Sequence, residues 1–113
     1  MRRTELLTAL DQELLIYRGA RGDGDIARGW TALERAHVLS QPFLIPHMRV
    51  HGLMLSLAVH AKDAREIFGQ VLRLALVPLG ALTGRIPRGN TGRSRVSPFR
   101  PMPVPQDLRH LFG

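Results

Sequence analysis

The run His47-Met48-Arg49-Val50-His51-Gly52-Leu53-Met54-Leu55-Ser56-Leu57-Ala58-Val59-His60-Ala61 carries the strongest periodic signal in the chain. Val50, Leu53, Met54, Leu57 and Ala61 recur at three- and four-residue steps, the spacing of one apolar helix face. Pro46 suits the first turn of a helix, where its missing N–H leaves no bond unmade, so a helix is predicted over 46–61. Upstream, Pro42 and Pro46 bracket a short link, and Trp30, Leu33, His37 and either Ser40 or Gln41 stripe a helix over 26–40. Asp23 or Asp25 serves as its N-cap after the Gly19–Asp25 turn. Before that turn, Leu7, Leu10, Leu14 and Tyr17, widened by Leu6 and Leu15, predict a helix over 4–18 with Thr4 available as a cap. Downstream, Asp63 and Glu66 have the spacing of a capping motif and open a fourth helix over 64–77. From residue 84 to 113 the pattern dissolves into glycines and into Pro87, Pro98, Pro101, Pro103 and Pro105, a basic, extended tail. Phe99, Met102, Val104, Leu108, Leu111 and Phe112 are spaced along it as anchors, which predicts a tail laid across the helices. No alternation of strand type competes, so the expected fold is all-α: one domain over 1–113, a four-helix bundle of helical hairpins with a C-terminal Pro/Gly-rich tail.

Composition narrows the chemistry. The chain has 113 residues, 44% of them hydrophobic and 22% charged, which suits one folded domain. The absence of cysteine excludes disulfides, thiolate metal sites, iron–sulfur clusters and a cysteine nucleophile. Any metal must therefore sit on nitrogen and oxygen. The formal charge is +7, and all basic residues except Lys62 are arginine. Such an excess attracts phosphate polymers or acidic surfaces, although no nucleic-acid recognition motif accompanies it. Glu5, Asp11 and Glu13 interrupt the apolar run that a signal peptide opening on Met1-Arg2-Arg3 would need. The segment from Leu72 to Leu82 holds Arg73 and Pro78 and falls short of the ~20 residues that cross a bilayer. The expectation is a cytoplasmic protein without a membrane partner.

The histidines carry the clearest chemical signal. His47 and His51 are four residues apart, so both imidazoles lie on one helix face, a spacing that lets one helix supply two ligands to one metal. Glu34 and His37, three apart, share a face of the preceding helix. The short link makes these helices antiparallel and puts His37 level with His51, with Glu34 one turn deeper. Three imidazoles and one carboxylate then converge, a donor set suited to Zn, Fe, Mn, Co, Ni or Cu(II). It resembles half of a carboxylate-bridged di-iron site, without a second Glu-x-x-His. The competing reading makes His37 and His51 hydrogen-bonded core residues, with Glu34 paired to Arg35, Arg49 or a tail arginine. An unmetallated cluster would be an acid/base or pH-responsive site. No activated nucleophile stands beside it, Thr8 and Ser40 included, and His60 and His110 read as surface residues. Glu66, Gln70 and Arg73 draw a polar line along the fourth helix that is suited to receive the tail. Arg73 is expected to pair with Glu66, with tail carbonyls or with a ligand carboxylate. Gly89-Asn90-Thr91-Gly92 forms a turn whose N–H groups would suit an anion, although it lacks the ending of a nucleotide-binding loop, and a structural turn is the favoured reading.

Several motifs follow one another in a recognisable order: Trp30-x-x-Leu33-Glu34-Arg35-Ala36-His37, His47-x-x-x-His51-x-x-Met54-Leu55, Asp63-x-Arg65-Glu66-x-x-Gly69-Gln70-x-x-Arg73-Leu74, Pro78-Leu79-Gly80, Gly89-Asn90-Thr91-Gly92-Arg93 and Phe99-x-Pro101-Met102-Pro103-x-Pro105. From Trp30 to Leu108 the chain resembles the small bacterial proteins of domain-of-unknown-function family 3703. The resemblance implies a bacterial cytosolic protein whose motif set includes Glu34, His37, His47, His51, Gln70, Arg73, Asn90 and Arg93, and it implies no activity. A weaker similarity, through Trp30-x-x-Leu33 and the large residue at His37, is to one unit of a tetratricopeptide repeat; without a 34-residue internal repeat it implies paired hairpins only.

The expected function is therefore binding of one transition metal (Zn, Fe, Ni, Co or Cu) through His37, His47, His51 and Glu34, for metal handling, sensing or metal-dependent chemistry. Gln70, Arg73, Asn90 and Arg93 are further binding residues. Whether the chain is an enzyme is left open. The alternative is a helical interaction module whose arginine-rich tail docks on an acidic protein or, less readily, on nucleic acid. A homodimer is a further expectation, since four short helices bury limited core.

Overall fold

A computed structural model describes residues 2–84 and 88–112, so the readings that involve Met1, Pro87 and Gly113 lie outside the described residues. Four α-helices follow in order, α1 (Arg2–Gly22), α2 (Ile26–Ser40), α3 (Leu44–His60) and α4 (Ala64–Thr83), and a short 3-10 helix, Gln106–Leu111, closes the chain. The fold is an all-α bundle, and no strand occurs among the described residues.

Several boundaries differ from expectation, and α3 opens at Leu44, two residues before Pro46. α1 begins before Thr4, which lies inside the helix, and runs through Gly19 to Gly22 because Ala20 is fully buried and the turn caps later. There the Asp25 N–H bonds the Ala20 carbonyl at 2.9 Å and the Gly24 N–H the Arg21 carbonyl at 3.2 Å, with Gly24 at φ 73°. This is a Schellman cap. Asp25 then caps α2, its carboxylate accepting the Arg28 N–H at 3.1 Å. The α3–α4 corner repeats the device. Asp63 N–H bonds Ala58 O and Lys62 N–H bonds Val59 O, both at 3.0 Å, Lys62 takes φ 58°, and Asp63 accepts the Glu66 N–H at 3.1 Å. α4 continues past Pro78 to Thr83, since a proline removes one backbone bond and the helix resumes until Gly84, whose N–H caps Gly80 O. At 20 residues α4 is long and apolar enough to cross a membrane by length and composition alone, a length that the reading of 72–82 did not anticipate.

The core is built from Leu6, Leu10, Leu14 and Tyr17 of α1, Trp30, Leu33, Ala36 and Leu39 of α2, Val50, Met54 and Leu57 of α3, and Leu108 and Leu111 of the C-terminal turn. Leu15, expected in the stripe of α1, points outward. Packing is mainly sequential: α1 lies on α2, α2 on α3 and α3 on α4, and α1 also meets α3 through side chains, Arg21 Nη1 donating to Ser56 Oγ at 3.2 Å. The gap between α2 and α4 is taken by residues 90–96. Gly69 of α4 lets them approach, because a Cβ there would sit 2.3 Å from the Ser94 Cβ.

α4 is consequently turned polar side in. Glu66, Gln70 and Arg73 are buried, whereas Phe68, Val71, Leu72, Leu79 and Leu82 are exposed. Past residue 97 the chain runs without regular helix to Pro105 and then meets α1 through the 3-10 turn Gln106–Leu111. Arg35 ties it down with a bidentate bond to Asp107, at 2.6 and 3.1 Å, and a 2.8 Å bond to Glu13. Leu108 and Leu111 are the anchors that are buried, with Val104 and Phe112 partly so, while Phe99 stays exposed.

Candidate metal centre

α2 contributes His37 and α3 contributes His47 and His51, and all three imidazoles are at most 3% exposed. Their Nε2 atoms form a near-equilateral triangle: His37 to His51 3.0 Å, His37 to His47 3.0 Å, His47 to His51 3.2 Å. Helical spacing accounts for the last of these distances. The antiparallel α2/α3 pairing accounts for the other two.

What surrounds the triangle decides which nitrogens hold protons. His37 Nδ1 is 2.5 Å from the Asn90 carbonyl, an acceptor only, so Nδ1–H donates and Nε2 keeps its lone pair. His51 Nδ1 is 2.8 Å from Gln70 Oε1. The Gln70 amide cannot be reversed, because its Nε2 donates to Glu66 Oε2 at 3.1 Å and to the Gly92 carbonyl at 2.9 Å. His51 therefore also donates from Nδ1 and directs a lone pair inward. Two lone pairs face each other across 3.0 Å, and a single proton on His47 Nε2 can relieve only part of that repulsion. Burial pushes the imidazoles away from the charged form. His47 is pushed down to about 3, with His51 adding to the effect. His51 goes down to about 4, against the pull of its Gln70 bond and helped by the Arg73 charge. His37 is lowered well below its usual value, by burial first and then by its two neighbours. The cluster is thus neutral near pH 7: His37 and His51 aim lone pairs at one point, and His47 Nε2 adds a third when its proton sits on Nδ1, which is buried and has no hydrogen-bond partner among the described residues.

Glu34 is outside this group. The atoms that converge belong to the three histidines, and the Glu34 carboxylate instead accepts from Arg93 Nη1 at 3.0 Å. Arg93 is a clasp: its Nε reaches Glu66 Oε1 at 2.6 Å and its guanidinium lies 3.8 Å above the Trp30 ring. It joins α2, α4 and the segment between them. Burial pushes the Glu66 carboxyl up, but Arg93, Gln70 and the Ser94 N–H outweigh it and hold the group below its ordinary value.

The remaining expected residues divide. Gln70 and the backbone of Asn90 orient His51 and His37. The Asn90 side chain shapes the loop, donating to the Ser97 and Arg100 carbonyls at 2.8 and 2.7 Å and accepting the Gly92 N–H at 2.9 Å. The Gly89 N–H bonds Gln41 Oε1 at 2.9 Å, so these two N–H groups of the turn are engaged within the chain. Arg73 donates to the carbonyls of Gly69 and Val96, one of the pairings expected for it. Gly92 was not singled out as a site residue by itself. It has φ 81°, and a Cβ on it would meet the His37 ring at 2.6 Å, so the loop closes over the histidines only with glycine there. Ser40 donates to the His37 carbonyl and is no nucleophile, and His60 and His110 are exposed.

A cavity of about 40 Å³ adjoins the triangle, lined by His37, His47 and His51 with Arg73, Val77 and Phe99 among others. On this measure it has room for a few water-sized atoms, at roughly 10–15 Å³ each.

Fold and site together define a small all-α protein with a buried three-histidine cluster beneath a loop clasped by arginine. The chain belongs to DUF3703, a family of proteins of unknown function, whose match spans residues 4–112. Neither the curated proteins nor the solved structures show a match to it.

Proposed function

We propose that the chain binds one transition-metal ion through Nε2 of His37, His47 and His51 and keeps a further coordination position open toward the adjoining cavity. The observation that carries this reading is the triangle of nitrogens 3.0, 3.0 and 3.2 Å apart, two of them with lone pairs fixed inward by acceptors behind them. An ion about 2.0–2.1 Å from each imidazole spaces the nitrogens about 3.3 Å apart in a tetrahedral shell and about 2.9 Å apart on an octahedral face. The observed spacings fall between these limits. Acceptors behind metal-bound imidazoles are the usual means of fixing tautomer and ring orientation, and the Asn90 carbonyl and Gln70 amide fill that role. In this reading the two hairpins are a tetratricopeptide-like scaffold, and residues 88–112 are a strap that completes the site. Three neutral protein ligands with an open position suit an ion that exchanges or acts on a small molecule, whereas structural sites are closed. Zn, Fe, Ni, Co and Cu all accept such a donor set.

Elemental analysis of untagged protein, beside the variant His37→Ala/His51→Ala, tests the reading. About one metal per chain, lost in the variant, is expected. No metal in the wild-type protein after anaerobic reconstitution with Fe, Zn, Ni, Co and Cu overturns it.

A further inference from the structure

Arg73 stands out among the buried charges. It is 5% exposed, and among the described residues no carboxylate lies within 4.0 Å of it. Two of its nitrogens are held by the carbonyls of Gly69 and Val96, which fixes the plane of the guanidinium. Its Nε–H is buried and has no hydrogen-bond partner among the described residues. The nearest acid along its helix face, Glu66, is already occupied by Arg93 Nε, the Gln70 amide and the Ser94 N–H. Arg73 lines the same small cavity as the three histidines. A buried guanidinium fork with an idle donor is costly unless something accepts from it.

The charge balance points the same way. Glu34 and Glu66 offset Arg93 and Arg73 in sign, so the surroundings of the triangle are close to neutral before an ion enters. Three neutral imidazoles cancel none of the charge of a divalent ion, and among the described residues that line the cavity none is a carboxylate. An anion in the open position would offset that charge and accept from Arg73 at once.

Resting on the metal site proposed above, the geometry points to a small-anion subsite: a carboxylate- or carbonate-type anion of three or four heavy atoms binds the ion through one oxygen and is held by Arg73. Arg73 is the residue that selects an anion over a neutral ligand. The volume of about 40 Å³ sets the size limit, with Val77 among the lining residues. Formate or bicarbonate fits such a space; an aromatic carboxylate does not.

The test uses full-length protein loaded with Co(II), whose visible spectrum reports its coordination shell. Metal content is measured first. Absence of Co(II) overturns the metal site, and the subsite falls with it. With Co(II) bound, formate and azide should each change the spectrum saturably and compete with one another, while benzoate should not. Arg73→Met should keep its Co(II) and bind formate at least about tenfold more weakly, the loss expected for one charge-assisted hydrogen bond. Should circular dichroism show that Arg73→Met does not fold, the formate–azide–benzoate series on wild-type protein decides. A Co(II) spectrum indifferent to formate and azide, benzoate binding as tightly as formate, or undiminished formate affinity in folded Arg73→Met each overturns the subsite and leaves the metal site standing.

Discussion

At the scale of single residues, the site depends on atoms that carry no metal themselves. His51 presents Nε2 because Gln70 accepts at its other nitrogen, and Gln70 is held in that orientation by Glu66 and the Gly92 carbonyl. Gln70→Met keeps the length of the side chain and removes both dipoles, so His51 loses its tautomer lock. Metal affinity is expected to fall about 10–100-fold, the usual effect of removing a partner behind a ligand. Competition with a chromophoric chelator measures it, and an unchanged affinity in a folded variant would show that Gln70 does not orient the ligand. The triad was legible from residue types and spacing, since i, i+4 histidines share a face whatever else the chain does. The fate of Glu34 was not. A carboxylate one turn from His37 is equally able to turn inward or to meet a cation, and Arg93, 59 residues away, settled the choice.

At the scale of elements, both hairpin corners use one device, a left-handed residue followed by an aspartate that caps the next helix. In the first corner the left-handed residue is Gly24 and in the second it is Lys62, at φ 58°. A side chain in that conformation costs energy that glycine does not. Lys62 is exposed, so Lys62→Gly is expected to raise stability by about 0.5–1 kcal/mol, read as a shift in urea midpoint at unchanged slope. A lowered midpoint would mean that the Lys62 side chain contributes contacts of its own. These corners were readable from Asp25 and Asp63 because capping is local chemistry. The end of α4 was not readable. Pro78 looked like a terminus, yet the helix continues to Gly84, because a proline deletes one hydrogen bond without forbidding the next turn.

At the scale of the whole molecule, burying three neutral histidines ties stability to pH. In the metal-free protein the unfolded chain takes up protons at these positions below about 6.5, whereas His51 resists until about 4 and His47 until about 3. Between those values the unfolded state binds more protons, so stability is full above the unfolded pKa and is lost as pH falls. Thermal unfolding of chelator-treated protein should drop by more than about 5 °C between pH 7 and pH 5, a change worth roughly 1 kcal/mol or more in a chain of this size. A flat profile would mean that the histidines are hydrated and ready to charge. The same burial rests on the way residues 90–96 fill the space between α2 and α4, with Arg93 reaching both helices. By itself the sequence determined the four helices, their capped corners, the exclusion of thiolate ligation and the helix faces that carry the histidines. All of these follow from local periodicity and residue chemistry. Only the tertiary structure decided which nitrogen of His37 and His51 faces inward, that Glu34 is withdrawn from the site, and that Arg73 lines the adjoining cavity with no carboxylate partner among the described residues. Those outcomes turn on backbone carbonyls, which every residue carries alike, and on side chains brought together from distant parts of the chain by packing.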